Sequence, residues 1–209
     1  MIRIHFVGDG PRDAATIPRL VETILGDEIE LVGSELPDIE KKREWRLLRL
    51  NDKKIKGFLG KVLFALQQAQ DLKASALVAV VDRDKDQKGH RLQNLRAGRD
   101  EHRSKYTPIP TALGEANPHG EAWLLDDEAA VREALRLDSR TLVPSLNKTG
   151  SPKDELESLI NASERRQEGS IDLLADIAKL VQLGRCNCKS RTGFEDFMKE
   201  VHAELGPLA

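Results

Sequence analysis

Residues 76–86 read Ala-Leu-Val-Ala-Val-Val-Asp-Arg-Asp-Lys-Asp, the most apolar strand-like run of the chain followed by three carboxylates at two-residue spacing. Such an unbroken apolar run is typical of a strand that is buried on both faces. Alternate side chains of a strand share a face, so we expect Asp82 and Asp84 to point the same way at its carboxyl end. Ligands of open parallel sheets bind at that end. The segment therefore predicts a central strand and a candidate site.

Strand and helix patterns alternate on both sides of this segment. A strand over residues 2–8 ends in a Gly-Asp-Gly-Pro turn, and apolar residues then recur at helical spacing from Asp13 to Leu25. This alternation predicts an α/β fold with a small parallel sheet that is covered by helices on both faces. The other predicted elements are a strand at 29–32, helices over 54–72, 88–104 and 121–135, and an edge strand within 106–112.

The pattern changes beyond residue 140, where amphipathic helices follow one another without strands. Residues 151–154 resemble a capped helix start, and Thr192 with Glu195 has the spacing of a capping box before the last helix. We therefore expect an α/β core over residues 1–140 and a helical extension over residues 141–209. The extension is expected to pack on the core in a single compact unit.

The composition limits the class of protein. Charged residues make up 33% of the 209 residues, and no apolar run approaches the length of a membrane span. The first residues lack a secretory leader, so we expect a cytoplasmic protein with no membrane contact. The formal net charge of −2 excludes a strongly basic nucleic-acid-binding domain. Any contact with phosphate must therefore be local.

One local group of cations follows the aspartates. On the predicted helix, Arg96, Arg99 and Arg103 fall at i, i+3 and i+7, and would form a cationic stripe within reach of an anionic ligand. A solvated helix face is the alternative interpretation of the same pattern. The five histidines show no spacing of a ligand set, which favours surface or packing roles for them.

Acidic residues occur at three places that the predicted topology brings towards one edge of the sheet. Asp9 and Asp13 follow the first strand, Asp82 and Asp84 end the central one, and Glu121 begins a later helix. Loops that follow parallel strands emerge on the same side of a sheet. Carboxylates gathered in this way repel one another, and a divalent cation is the simplest means of holding them together.

These residues resemble a known family. The turn Asp9-Gly10-Pro11-Arg12-Asp13 and the strand end at Asp82 and Asp84 resemble the Toprim domain of topoisomerases, primases and nucleases. Residues 121–126, which read Glu-Ala-Trp-Leu-Leu-Asp, and residues 188–197 resemble more narrowly a Toprim-like family of bacterial proteins, DUF4276. The resemblance covers nearly the whole chain.

The resemblance implies a set of roles for the acids. Asp82 and Asp84 match the pair that holds Mg²⁺, for which Mn²⁺ is a substitute, and Asp13 matches a second acid of the related OLD-type nucleases. Asp9 stands where Toprim enzymes usually have glutamate. It is one methylene shorter, so either the backbone comes closer or Asp9 serves mainly as a ligand, which weakens its assignment as a general acid. Glu121 would be a ligand for a second ion. Asp9, Asp82 and Asp84 would be the catalytic residues.

The implied activity is metal-dependent hydrolysis of a nucleic-acid phosphodiester, with DNA favoured over RNA. Arg12, Lys85 and the stripe of Arg96, Arg99 and Arg103 would neutralise the phosphate charge. Proteins that resemble this one often accompany a separate ATPase of the ABC or AAA type in bacterial defence or DNA repair. The only tyrosine, Tyr106, lies in a proline-flanked run, which favours a nuclease over a topoisomerase.

Two alternatives belong to other classes. In the first, the aspartates are only a solvated strand end and a helix cap, where this residue type is common. In the second, the chain is a partner subunit with a degenerate site that binds an ATPase or a nucleic acid. The substitution of Asp9 for the usual glutamate favours this second alternative, whereas Asp13, Asp82 and Asp84 favour catalysis.

Overall fold

The computed structural model describes residues 1–35, 49–50, 53–54, 57–83, 89–147 and 150–209. Its main sheet has four parallel strands: β1 (Ile2–Val7), β2 (Ile29–Glu35), β5 (Ala76–Asp82) and β6 (Thr111–Ala116). A separate antiparallel pair consists of β3 (Arg49–Leu50) and β4 (Lys53–Lys54). The α-helices are α1 (Pro11–Leu25), α2 (Gly57–Asp71), α3 (His90–Lys105), α4 (Glu121–Leu125), α5 (Glu128–Leu135), α6 (Pro152–Ala162), α7 (Ser170–Leu180), α8 (Lys189–Thr192) and α9 (Phe194–Leu205).

The predicted α/β class is confirmed by a parallel sheet with helices on both faces. Side chains of β5 alternate between two hydrophobic clusters: Val78 and Val80 pack with α1 and the C-terminal helices, and Leu77 and Ala79 pack with α2 and α3. Every residue of β5 before Asp82 is buried. Burial on both faces explains why the sequence of this strand is continuously apolar instead of alternating.

The strand order of the main sheet is β2-β1-β5-β6. The chain leaves β1 towards β2 on one side and returns to β5 on the other, so the direction of winding reverses between β1 and β5. Such a reversal opens a crevice beyond the carboxyl ends of the two central strands. The residues that follow Val7 and Val81 therefore lie at the usual ligand-binding position of an open parallel sheet.

The edge strand is present but begins later than predicted. It starts at Thr111, because residues 106–110 carry two prolines that cannot donate backbone hydrogen bonds. The carbonyl of Pro110 still accepts a hydrogen bond from the amide of Leu77 (2.9 Å). The two prolines therefore mark the entry to the strand.

The single helix predicted over residues 121–135 is wrong, because the structure divides it into α4 and α5. Asp127 caps α5 by accepting a hydrogen bond from the amide of Ala130 (3.1 Å), and it also accepts from the amide of Gln182 (2.8 Å) and from Arg185 (2.9 Å). The predicted capping box of α9 is also absent, since Gly193 precedes this helix and provides no side-chain cap.

The C-terminal helices share a hydrophobic cluster with the sheet. The Trp123 ring stacks on those of Phe194 and Phe197, with ring centroids 5.1 Å apart in both pairs. One cluster of buried side chains runs from β1 to α9. The division at residue 140 stays a prediction.

No helix in the described part of the chain is long and apolar enough to span a membrane.

The start of α9 approaches β6 closely at Gly193. This glycine has a φ of +80°, and a Cβ atom at this position would lie 2.1 Å from the carbonyl oxygen of Glu115. Real Cβ atoms are not found that close to an oxygen, so a larger residue would push α9 away from the sheet. Glycine is required here by both the backbone conformation and the contact.

We predict that Gly193→Ala costs clearly more than the roughly 1 kcal/mol expected for a left-handed glycine alone. Gly26→Ala is the matched control, because Gly26 has a φ of +68° but open space around it. The measurement is urea-induced unfolding of both variants. Equal losses in the free energy of unfolding would contradict the argument, since the two positions differ in the close approach and share the backbone conformation.

Candidate metal centre

The acidic residues that follow β1 and β5 meet where the direction of winding of the sheet reverses. Asp9 follows β1, Asp82 ends β5, and the Asp9 carboxylate oxygen Oδ2 accepts a hydrogen bond from the backbone amide of Asp82 (2.8 Å). The structure thus brings together two residues that are 73 positions apart in the sequence. Both follow apolar strands, which is why the sequence pattern could place them at the same edge.

Asp13 closes the turn between β1 and α1. Its carboxylate oxygen Oδ2 accepts hydrogen bonds from the amides of Asp9 (2.8 Å) and Gly10 (3.1 Å). A carboxylate in the first turn of a helix is favoured by the unpaired amides and by the helix dipole. Asp13 therefore fixes the conformation of the turn that carries Asp9.

Asp82 is held from the far side by the loop that follows β6. Its two oxygens lie 3.1 Å from the amide nitrogen of Gly120 and 3.2 Å from Nδ1 of His119. No spacing in the sequence marks His119 as a site residue, and the prediction of a surface or packing role missed it. Its signal was positional: it lies between the end of β6 and Glu121, on a loop that leaves the same edge of the sheet.

Glu121, at the third predicted acidic place, lies near the same edge of the sheet. It is buried at the start of α4, and its Oε1 lies 3.1 Å from Nη1 of Arg12. The other edge of the Arg12 guanidinium pairs with Glu157 on α6. Burial would lower the pKa of Arg12, but the hydrogen bonds to Glu157 and Glu121 raise it above its ordinary value.

Burial, together with the charges of neighbouring carboxylates, raises the pKa of two acids in the site. Burial, and then the negative charge of Asp82, raises the pKa of Asp13 to about 7, although the amide of Asp9 acts in the opposite direction. Burial also raises the pKa of Asp82 to about 6, while the hydrogen bond and the charge of His119 lower it. Charges of Asp9 and Glu121 add to the increase for both groups. Burial and mutual repulsion therefore both disfavour the simultaneous ionisation of these acids.

These groups line an open cleft of about 500 Å³ between the sheet edge and the C-terminal helices. The cleft is also lined by Lys153 at the start of α6 and by Ser170 and Ile171 at the start of α7. Lys61 lies at the back of the turn, with its Nζ 4.0 Å from Oδ1 of Asp9. Sequence reasoning did not select either lysine, because both belong to helices whose docking it could not predict.

The donor chemistry of the cleft suits a hard divalent cation. Asp9, Asp13, Asp82 and Glu121 supply only carboxylate oxygens, which Mg²⁺ and Mn²⁺ prefer. In the structure these oxygens accept hydrogen bonds or pair with cations. Over the described ranges 1–35, 57–83, 89–147 and 150–209, no three His, Cys, Asp or Glu side chains are arranged as a ligand set. The residues fit the ion by type, and their side chains would have to reorient to bind it.

Two of the predicted site residues, Asp84 and Lys85, lie outside the described residues. The predicted cationic stripe does lie along one side of α3, but this side faces α9. Arg99 Nη1 is 2.9 Å from Glu200 and also contacts the carbonyl oxygen of Thr111 at the start of β6. Ion pairs also link Arg96 to Glu200 and Arg103 to Glu204.

The start of β6 is at the opposite end of the sheet from Asp82, which pairs with Ala116 at the end of that strand. Arg99 therefore lies on the order of 15 Å from the acidic edge, given the rise of a strand. Its expected reach to a ligand at the metal is not supported by this placement. Contact between the stripe and a nucleic acid stays a prediction.

Comparisons with known proteins leave the family open. No protein-family model and no curated protein sequence matches the chain. A solved structure of the C-terminal region of the OLD protein from Xanthomonas campestris pv. campestris is similar over 97% of both chains, with 17% sequence identity and a TM-score of 0.38. A likeness at this level carries no argument about function.

We predict that the unfolding free energy of the metal-free protein falls as the pH rises from about 5 to about 8. The folded-state pKa values of Asp13 and Asp82 are raised above the ordinary value of 3.8, so the folded protein binds more protons than the unfolded chain in this range. Asp13→Asn keeps an oxygen acceptor and removes the charge. It should therefore flatten the pH dependence and raise Tm near pH 8 by about 3 °C or more.

The measurement is thermal unfolding at both pH values in the presence of a chelator. Asp27→Asn is the control, because Asp27 is an exposed aspartate at the end of α1. A pH dependence that is the same in wild type and Asp13→Asn would show that the buried carboxylate does not carry the repulsion.

Proposed function

We propose that the chain is a divalent-metal-dependent nuclease of the Toprim type, which hydrolyses phosphodiester bonds of nucleic acid. The observation that carries this proposal is the convergence of Asp9, Asp13, Asp82 and Glu121 on one cleft at the reversal point of a parallel sheet. The Toprim resemblance of the turn at residues 9–13 and of the strand end at Asp82 supports the same conclusion.

In this proposal Asp82 and Asp9 are the principal ligands of Mg²⁺, with Mn²⁺ as a substitute. Asp13 holds the turn and contributes a further oxygen, and Glu121 serves a second ion. Asp84, which belongs to the same sequence motif, completes the set. When bound, the ion would polarise the scissile phosphate and lower the pKa of the attacking water.

The residues of the chain contribute binding and orientation. Backbone amides of Asp9, Gly10 and Gly120 donate to the carboxylates of Asp13 and Asp82, so these two acids are held at the cleft before their side chains reorient towards a bound ion. The Arg12 guanidinium lies beside Glu121 on the rim of the cleft, where it would neutralise charge on a phosphate. Lys153 provides a second cation that lines the cleft.

The proposed setting is a bacterial defence or DNA-repair system in which the chain works with a separate ATPase of the ABC or AAA type. DNA is the favoured substrate over RNA. This part of the proposal comes from the family resemblance of residues 121–126 and 188–197.

A second candidate function is a partner subunit whose acidic site has lost activity. One observation favours it: Asp9 stands in place of the usual glutamate. Such a protein should keep its biological effect when Asp82 is replaced, whereas a nuclease should lose it.

We predict that Asp82→Asn reduces cleavage of supercoiled plasmid and of labelled RNA in Mg²⁺ or Mn²⁺ by about 100-fold or more, because it removes a ligand charge worth several kcal/mol to the transition state. Asn can still accept the hydrogen bond from the amide of Gly120, so the fold should be kept. The assay compares rates for wild type and variant, with the chelated protein as the blank.

Asp71→Asn is the matched control, because Asp71 is exposed at the end of α2 and accepts a hydrogen bond from Gln67 through an oxygen that Asn retains. Cleavage that Asp71→Asn and Asp82→Asn support equally would point to a contaminating enzyme. Absence of metal-dependent cleavage by the wild type would favour the partner-subunit function.

A further inference from the structure

Arg12 connects two carboxylates that come from different parts of the chain. It lies in the first turn of α1, where its Nη1 is 3.1 Å from Glu121 on α4 and its Nη2 forms a short hydrogen bond to Glu157 on α6. One guanidinium therefore links the acidic edge of the sheet to the C-terminal helices. Both edges of this cation are occupied in the structure.

The two partners of Arg12 differ in burial. The Glu121 side chain is 9% exposed and that of Glu157 is 46% exposed. Breaking the buried pair would leave a desolvated carboxylate without its partner, which is costly. An exposed ion pair has a small net value because water and salt compete for both groups. Arg12 is therefore anchored on the inner side and held loosely on the outer side.

The outer partner lies where a ligand of the cleft would compete with it. Lys153 and Glu157 are four positions apart on α6, so they share one side of that helix, and Lys153 and Arg12 both line the cleft. Phosphate oxygens match the planar guanidinium fork as well as carboxylate oxygens do. Since Glu121 and Glu157 occupy both edges of the guanidinium, a phosphate that binds Arg12 has to compete with one of them, and Glu157 is the more exposed partner.

We infer that Glu157 pairs with Arg12 in the free protein and that a backbone phosphate of the nucleic acid displaces Glu157 from Arg12 on binding. Glu157 is then a residue that limits affinity, since each binding event has to replace its contact with Arg12. The inference rests on the proposed function, because it takes the nucleic-acid backbone as the ligand of the cleft. It adds a specific task for the C-terminal helices, which present a competing carboxylate to the site.

The test is fluorescence anisotropy of a labelled double-stranded DNA oligonucleotide in Ca²⁺, with cleavage in Mg²⁺ measured in parallel. Glu157→Gln should tighten binding by about two- to fivefold relative to wild type, the range expected for an exposed ion pair. Glu155→Gln is the control, because it removes the same charge from the same helix two positions away. It should give a smaller change.

Arg12→Gln provides the second readout. It should weaken binding and lower the slope of log Kd against log salt by about one, as loss of one phosphate contact does. In the Arg12→Gln background, Glu157→Gln should no longer tighten binding. This non-additivity distinguishes competition between Glu157 and phosphate for Arg12 from a general effect of net charge.

Each outcome bears on the inference. Equal effects of Glu157→Gln and Glu155→Gln, or additive effects of the Arg12 and Glu157 changes, would overturn it while the nuclease proposal stands. Tighter binding by Glu157→Gln without cleavage by any variant would support it and overturn the catalytic proposal. Absence of DNA binding by every variant would overturn both.

Discussion

Backbone amides, more than cationic side chains, hold the carboxylates that follow the carboxyl ends of β1 and β5. The amides of Asp9, Gly10, Asp82 and Gly120 all donate to carboxylate oxygens of the site. An amide carries no net charge, so it fixes the geometry of an acid without neutralising it. The geometry of the cleft depends on this constraint, because neutral donors hold several acids close together without neutralising their charge.

The C-terminal helices add both a cation and a further carboxylate near the same cleft. They bring Lys153 to its wall and place Glu157 against Arg12. The balance of charge around the cleft is thus shared between an α/β edge that is negative and a helical wall that is mixed. Because α6 begins immediately at this wall, any movement of that helix would change the environment of Arg12.

Much of the site was predictable because its acids follow apolar strands. The positions of Asp9 and Asp82 required only the rule that parallel strands end at the same edge. The contacts of His119 and Glu157 required the docking of a loop and of a helix, and local spacing contains no information on either. The arginines of α3 show the same limit: their spacing correctly placed them along one side of a helix, but α9 decided what that side meets.

The fold was predictable to a similar depth. Apolar periodicity located the strands and most helices, whereas the break between α4 and α5 depends on hydrogen bonds that Asp127 accepts from residues more than fifty positions away. The closure of β6 by α9 has a further consequence. Phe197 packs on Gly114, and Glu204 accepts a hydrogen bond from the amide of Thr111, so α9 covers part of β6 and pairs one of its backbone amides. A chain shortened before α9 would expose a pairing edge and an apolar surface, and would tend to aggregate. The last helix therefore covers backbone and apolar groups of β6 that would otherwise face the solvent.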